Sequence, residues 1–363
     1  MRMFRLGSDR VSLAVTETGG QLSDVVFALG DERRVSPMHV SPWENETFVE
    51  DLPPMLRMLR GDFFCAPFGS SDVFPHETRV HGLTANGTWR LRKESATTLD
   101  AVLDGDVLGA TVSKHVEVRP GETVVYQTHT LTGGRGRVPI GHHAMLRSDA
   151  PLLLGFAPWT MAITPPDLVE TPPHGRPLLA KNQTVVDLKS AKRADGGTAD
   201  LTVFPSADGF EALWMLVSDP APAFAWSAAT SPDEGWVWFS LKNQRSLPET
   251  LLWLSNGGRD YAPWNARHRR VIGIEEICSY FHLGHAASTA DNPVALAGYA
   301  TAAELRPDVP LSVSYMFGLA AAPKEFGAVA RIEETPGGAR LIDTVGREIF
   351  AACDLSFITA GAN

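Results

Sequence analysis

Cysteine is scarce in this sequence: Cys65, Cys278 and Cys353 are the only three among 363 residues. They are odd in number and far apart, which argues against a disulfide framework or a CxxC metal site and leaves buried apolar thiols in a reducing compartment. Basic charge is also short. Lys and Arg total 32 against 42 Asp and Glu, for a formal net charge of −10. The chain therefore lacks the basic excess that a nucleic-acid surface needs. No apolar run approaches the length of a membrane span, and the first ten residues carry no apolar stretch before a small-residue cleavage site. A cytoplasmic protein with neither nucleic acid nor membrane as partner is the expectation. Helical periodicity is the remaining scarcity, since only residues 294–303 and 323–331 show it, both briefly.

What the chain does have is alternation. Residues 11–15, 112–118, 123–131 and 311–317 alternate apolar and polar side chains between turn residues, the pattern of half-buried strands. Between the second and third of these, Arg119-Pro120-Gly121-Glu122 presets φ at Pro and accepts positive φ at Gly, so it predicts a tight antiparallel hairpin. Leu103-Asp104-Gly105-Asp106-Val107 carries a second hairpin signal, of the Asp-Gly type. Hydrophobic residues at 44% provide for a large core, and the 32 Gly and 26 Pro are spread along the chain rather than gathered in a linker. These features predict an all-β fold, a large antiparallel β-sandwich formed as a single domain over residues 1–363. Residues 165–197, rich in Pro, Asp and Lys, read as long loops over it.

Three stretches carry residues suited to chemistry. The first runs Leu59-Arg60-Gly61-Asp62-Phe63-Phe64-Cys65-Ala66-Pro67-Phe68-Gly69 and leads, after a polar loop, to His81-Gly82. An apolar strand ending in Pro-Phe-Gly before a His-Gly turn places Arg60 and His81 near one rim, although a lone histidine ordinarily serves as a satisfied structural group. The second runs from Val112 through the Pro-Gly-Glu hairpin to Ile140-Gly141-His142-His143-Ala144. The third is Arg270-Val271-Ile272-Gly273-Ile274-Glu275-Glu276, a glutamate pair among apolar residues; adjacent glutamates at a strand end are ordinarily solvated.

Strand, Pro-Gly-Glu hairpin, return strand, and a further strand bearing Gly-x-His resemble the middle of the galactose mutarotases (aldose 1-epimerases) and of the related hexose-6-phosphate mutarotases. The resemblance covers the chain to about Gly284 and implies the sandwich of the galactose mutarotase-like type. It implies that His143, rather than His142, is the general acid and that Glu275 is the catalytic base, in the family's order of His81, His143, Glu275. It further implies a sugar site with His81, Arg60, Trp264 and His142 as substrate-binding residues. No metal and no cofactor are implied, and the partner is a small carbohydrate, bound by a monomer or homodimer.

Arg60-Gly61 resembles the arginine of the hexose-6-phosphate branch, whose guanidinium reaches vicinal hydroxyls or a phosphate with paired donors. That branch carries a second arginine after its His-Gly, where this chain has Leu83-Thr84-Ala85; the departure and the acidic charge disfavour a phosphorylated sugar. The family's sugar-binding aspartate has Asp187 and Asp200 as candidates. Trp159, Trp226 and Trp264 are candidates for a ring face against the sugar, with core packing as the ordinary alternative. His282 and His285 form a weak His-x-x-His metal signal. The implied reaction is mutarotation of an aldose, with Glu275 taking the proton of the anomeric hydroxyl and His143 protonating the ring oxygen. A non-catalytic carbohydrate-binding or regulatory protein, or another carbohydrate isomerase or lyase, uses the same fold.

Overall fold

A computed structural model of the protein describes residues 2–30, 32–47, 52–72 and 79–359. Two antiparallel sheets dominate it. In the larger, nine strands lie in the order Val203–Phe204, Leu152–Phe156, Ala225–Ser231, Trp236–Lys242, Leu311–Ala321, Val124–Gly133, Ala110–Val118, Thr98–Val107, Trp89–Lys93. The smaller has six, in the order Trp159–Ile163, Glu211–Ser218, Glu249–Ser255, Val271–Cys278, Ile140–Arg147, Phe64–Cys65. The two pack face to face, and successive side chains along each strand point to opposite faces.

The main core fills the space between the sheets and reaches a four-stranded sheet at the N-terminus through Leu6, Val11 and Phe27. A second apolar cluster, with Trp43, Phe63 and Trp264, covers the outer face of the six-stranded sheet. A third lies between the nine-stranded sheet and a C-terminal meander of strands Val329–Thr335, Gly338–Asp343 and Glu348–Ala352. Several central strands, Val271–Cys278 among them, are therefore buried on both faces.

The interface between the sheets also holds polar groups. His142 Nδ1 lies 3.1 Å from Asp62 Oδ2, which also accepts a 2.6 Å bond from Gln127 Nε2. The buried Lys114 Nζ donates to Gly20 O at 2.8 Å. Glu276 accepts bonds from Ser227, Ser240 and Thr250 and pairs with Lys242. Each charge is paired or hydrogen-bonded, as burial requires.

The Arg119–Glu122 turn joins Ala110–Val118 to Val124–Gly133 as predicted, with Glu122 N bonded to Arg119 O and φ of 81° at Gly121. The Asp104-Gly105 signal does not make a hairpin. The strand runs on through it with a register shift between Val102 and Asp106, and reverses at Leu108 and Gly109, whose φ values are 53° and 80°. Two successive positive φ angles match the right-handed twist of a hairpin, so the reversal falls there. Both predicted helices also shrink. Pro293–Leu296 is a single turn capped by Asn292, and residues 323–331 form a turn leading into a strand. Residues 165–197 are mostly loop, with one 3-10 turn at Leu188–Ser190 and the short strand Ala191–Lys192.

Candidate active site

The outer face of the six-stranded sheet is the floor of a cavity of about 290 Å³, at the small end of the range for small-molecule sites. Strand register fixes what the floor presents. His143 pairs with Glu275, Glu275 with Leu251, and Leu251 with Met215, giving one row across four strands. Two residues along, on the same face, the row reads Met145, Gly273, Trp253, Leu213. A third row brings Ser255 and Glu211 together, with Ser255 Oγ donating to Glu211 Oε1 at 3.0 Å.

Glu275 and His143 meet directly, with Nε2 of the imidazole 3.3 Å from Oε1 of the carboxyl. Both are buried. Burial pushes the Glu275 carboxyl well above the usual carboxylate range. Burial likewise lowers His143 to about 4, against a weaker upward pull from Asp62. The imidazole is oriented by stacking on Phe63, with ring centres 4.8 Å apart, and the backbone N–H of His143 donates to Phe63 O at 2.9 Å.

His81 stands edge-on to His143, ring centres 5.1 Å apart. Its backbone is in the left-handed region at φ 64°, a conformation that non-glycine residues adopt mostly where surrounding contacts enforce it. Gly69 provides those contacts: its carbonyl accepts from His81 N at 2.8 Å, and its N–H donates to His81 Nδ1 at 3.3 Å. With Nδ1 accepting and burial holding the ring neutral, the proton sits on Nε2, which becomes a donor. His282, lowered to about 4 mainly by burial, also lines the cavity, and its backbone lies against Gly69.

Among the described residues, the guanidinium that lines the cavity is that of Arg259. It lies 4.5 Å from the ring centre of Trp264 and 5.4 Å from that of Trp253. Its Nε donates to Glu170, and Glu211 Oε2 is 3.8 Å away. Burial raises Glu211 to about 7, against the opposing pull of Arg259. Nη1 and Nη2 of Arg259 make no hydrogen bond among the described residues, so the two outer nitrogens of the fork are available to a ligand.

Of the residues singled out in the sequence, the structure brings Glu275, His143, His81 and Trp264 around one cavity. It does not bring His142 or Arg60. His142 is the neighbour of His143 on a strand, so its side chain leaves by the opposite face, where it stacks on Tyr315 with ring centres 4.1 Å apart. Arg60 is held by other groups: Nε donates to Met58 O at 3.0 Å, Nη1 to Ser23 Oγ at 3.3 Å, and Nη2 pairs with Glu44. Gly61 turns the chain at φ 57°, where a Cβ would lie 1.7 Å from Leu22 O, and so directs Arg60 away from the floor. Asp187 caps the Leu188–Ser190 turn and Asp200 bonds Thr202; neither lines the cavity. Trp226 packs in the cluster beneath the C-terminal meander, and Trp159 lies on the edge strand outside the cavity lining. His282 lines the cavity while His285 bonds Arg137 O at 2.9 Å, so the pair does not converge on one point. Arg259 and Trp253 are cavity residues that sequence reasoning missed. The available signal was Gly257-Gly258 before Arg259: a Cβ at Gly258 would meet Glu211 N at 2.5 Å, a close backbone approach that only glycine permits.

No protein-family model and no curated protein matches this chain. Among solved structures, a galactose mutarotase-like protein from Lactobacillus casei superposes with a TM-score of 0.56 at 14% identity, covering 88% of this chain and 100% of that one. A galactose mutarotase related enzyme from Lactobacillus acidophilus gives 0.55 at 10% identity, with 89% and 98% covered. A candidate aldose 1-epimerase from Escherichia coli K12 gives 0.56 at 12%, with 88% and 99% covered. At these identities the likeness shows the fold, and the fold is the galactose mutarotase-like sandwich.

Proposed function

We propose, from a chain with the galactose mutarotase-like fold, an aldose 1-epimerase that interconverts the α and β anomers of a sugar by acid–base ring opening. The observation that carries the reading is the contact of Glu275 with His143 on the floor of a small cavity. One proton serves this pair, and each of its arrangements leaves one donor and one acceptor. As carboxylate and imidazolium, Glu275 takes the proton of the anomeric hydroxyl while His143 gives one to the ring oxygen, and the C1–O5 bond breaks. The pair is then carboxylic acid and imidazole, the uncharged arrangement that burial favours. Rotation about C1–C2 presents the other face of the aldehyde. His143 then recovers the proton from the O5 hydroxyl, Glu275 returns one to the carbonyl oxygen, and the ring closes.

His81 Nε2–H is a donor to oxygen beside this pair, and Arg259 offers Nη1 and Nη2 to vicinal hydroxyls at the other end of Trp253. The reading takes residues 1–363 as one domain, supported by a core cluster that runs from Leu6 to Leu319. Anomer exchange measured by NMR over a panel of free and phosphorylated aldoses tests it. Acceleration above the spontaneous rate is expected, falling at least about a hundredfold in Glu275→Gln. Binding without acceleration for every sugar would make the chain a carbohydrate-binding protein instead.

A further inference from the structure

The floor beyond the acid–base pair is apolar. Leu251 follows Glu275 in its row, and the next row continues from Gly273 through Trp253 to Leu213. Neighbouring strands lie about 4.8 Å apart, so a pyranose whose anomeric carbon is at Glu275 and His143 rests over Leu251 and Trp253, with its far edge toward Leu213. Leu56 and Leu59, at and just after the turn Pro54–Met58, and Val169, from the loop after the Trp159–Ile163 strand, add to the lining. The polar groups keep to two places. His81, His143, Glu275 and His282 gather toward the strand Ile140–Arg147, where Gly69 bonds His81 and the adjacent Ser70 bonds the His282 carbonyl. Arg259 lies past Trp253, beside Glu211. Among the described lining residues, the groups near Leu213 that can hydrogen-bond are Arg259 and the unpartnered indole N–H of Trp253, while Leu56, Leu59 and Val169 offer no side-chain partner.

A sugar hydroxyl facing Leu56, Val169 and Leu213 would lose its water without gaining a partner, whereas a methyl or methylene there would gain contact. We propose that this pocket selects a deoxy sugar, whose edge away from the anomeric carbon carries hydrogen or methyl in place of a hydroxyl. The inference rests on the acid–base reading only for where the anomeric carbon sits.

Calorimetric titration of the full chain with matched pairs tests it: D-galactose and 6-deoxy-D-galactose, D-glucose and 6-deoxy-D-glucose, L-mannose and 6-deoxy-L-mannose. At least one deoxy member should bind roughly tenfold tighter than its hydroxylated partner, the discrimination one group commands in an apolar pocket. Leu56→Asn and Val169→Asn, at half-buried positions that tolerate a polar side chain, should reduce that preference to within about twofold with melting unchanged. Equal or tighter binding of the hydroxylated member in every pair would overturn the proposal, as would no binding by any of the six sugars. Anomer exchange on the same samples separates the two readings. A deoxy preference without exchange would sink the catalytic reading and leave this one standing, while exchange without the preference would do the reverse.

Discussion

A methyl group at position 273 would probe how closely the acid–base pair is held. Gly273 lies two residues before Glu275 on the same face, and a Cβ there would come 2.8 Å from Glu275 Oε1 and 3.2 Å from Trp253 Cβ. The carboxyl is the end of a side chain that can swing, so Gly273→Ala should displace it from His143 at a modest cost, about 1 kcal/mol in urea unfolding. A shift of about 1 Å in a reacting group costs on the order of a hundredfold in rate. Anomer exchange should therefore fall far more than stability does, and an unchanged rate would remove Glu275 from the reaction. Arg259→Lys tests a different role. A lysine keeps the charge but loses the planar fork and its place over Trp264. If Arg259 binds hydroxyls alike in ground and transition states, KM should rise about tenfold with kcat within about twofold of wild type.

The two strands that carry the site, Ile140–Arg147 and Val271–Cys278, each present consecutive like residues to opposite faces. His143 pairs in register with Glu275 toward the cavity, while His142 pairs with Glu276 toward the nine-stranded sheet. Glu276 shows what the second face demands. Burial alone would raise its pKa, but Lys242 and the hydroxyls of Ser227 and Thr250 hold it below the ordinary value, so it remains a carboxylate inside the sandwich. Lys242→Met would leave that charge uncompensated and should destabilise the fold by about 3–5 kcal/mol in urea unfolding. A loss below about 1 kcal/mol would mean that the hydroxyls suffice. Period-two alternation made the strands flanking Arg119–Glu122 legible in the sequence, and the order of motifs pointed to His143 and Glu275. The resemblance put Arg60 in the sugar site, whereas what captures that side chain is Glu44 across a loop, and loop contacts leave no periodic trace. Arg259 escaped for the same reason: Gly257 and Gly258 bring it to the cavity through a tertiary approach. Strands such as Glu249–Ser255 were hard to read because both faces are buried and alternation disappears.

At the scale of the whole molecule, burying so many titratable groups sets how stability depends on pH. Seven of the eleven histidines have lowered proton affinity, chiefly through burial: His39 to about 3, His143 and His282 to about 4, and His81, His129, His142 and His268 below the usual value. As pH falls through 6.5 the unfolded chain takes up protons at these positions and the folded chain does not, so the native state loses stability toward pH 4. Three buried glutamates act in the opposite sense. Glu211 is raised to about 7, and Glu249 and Glu275 well above the ordinary value, again chiefly through burial. Above about pH 4.5 the folded chain retains protons that the unfolded chain has released, so these groups lose stability as pH rises. Between pH 4.5 and 6.5 the histidines outnumber the glutamates and stability should rise with pH; above pH 6.5 the three glutamates still titrate and stability should fall, opposed toward pH 8.5 by Lys114, whose proton affinity burial lowers to about 8. The urea midpoint measured from pH 4.5 to 8.5 should therefore pass through a maximum near pH 6.5. Glu275→Gln replaces a group that must be neutralised on burial with one already neutral, so it should flatten the alkaline limb. A midpoint that climbs steadily to pH 8.5 in the native protein would mean that these carboxyls are ionised in the folded state and would rule out the uncharged Glu275–His143 arrangement.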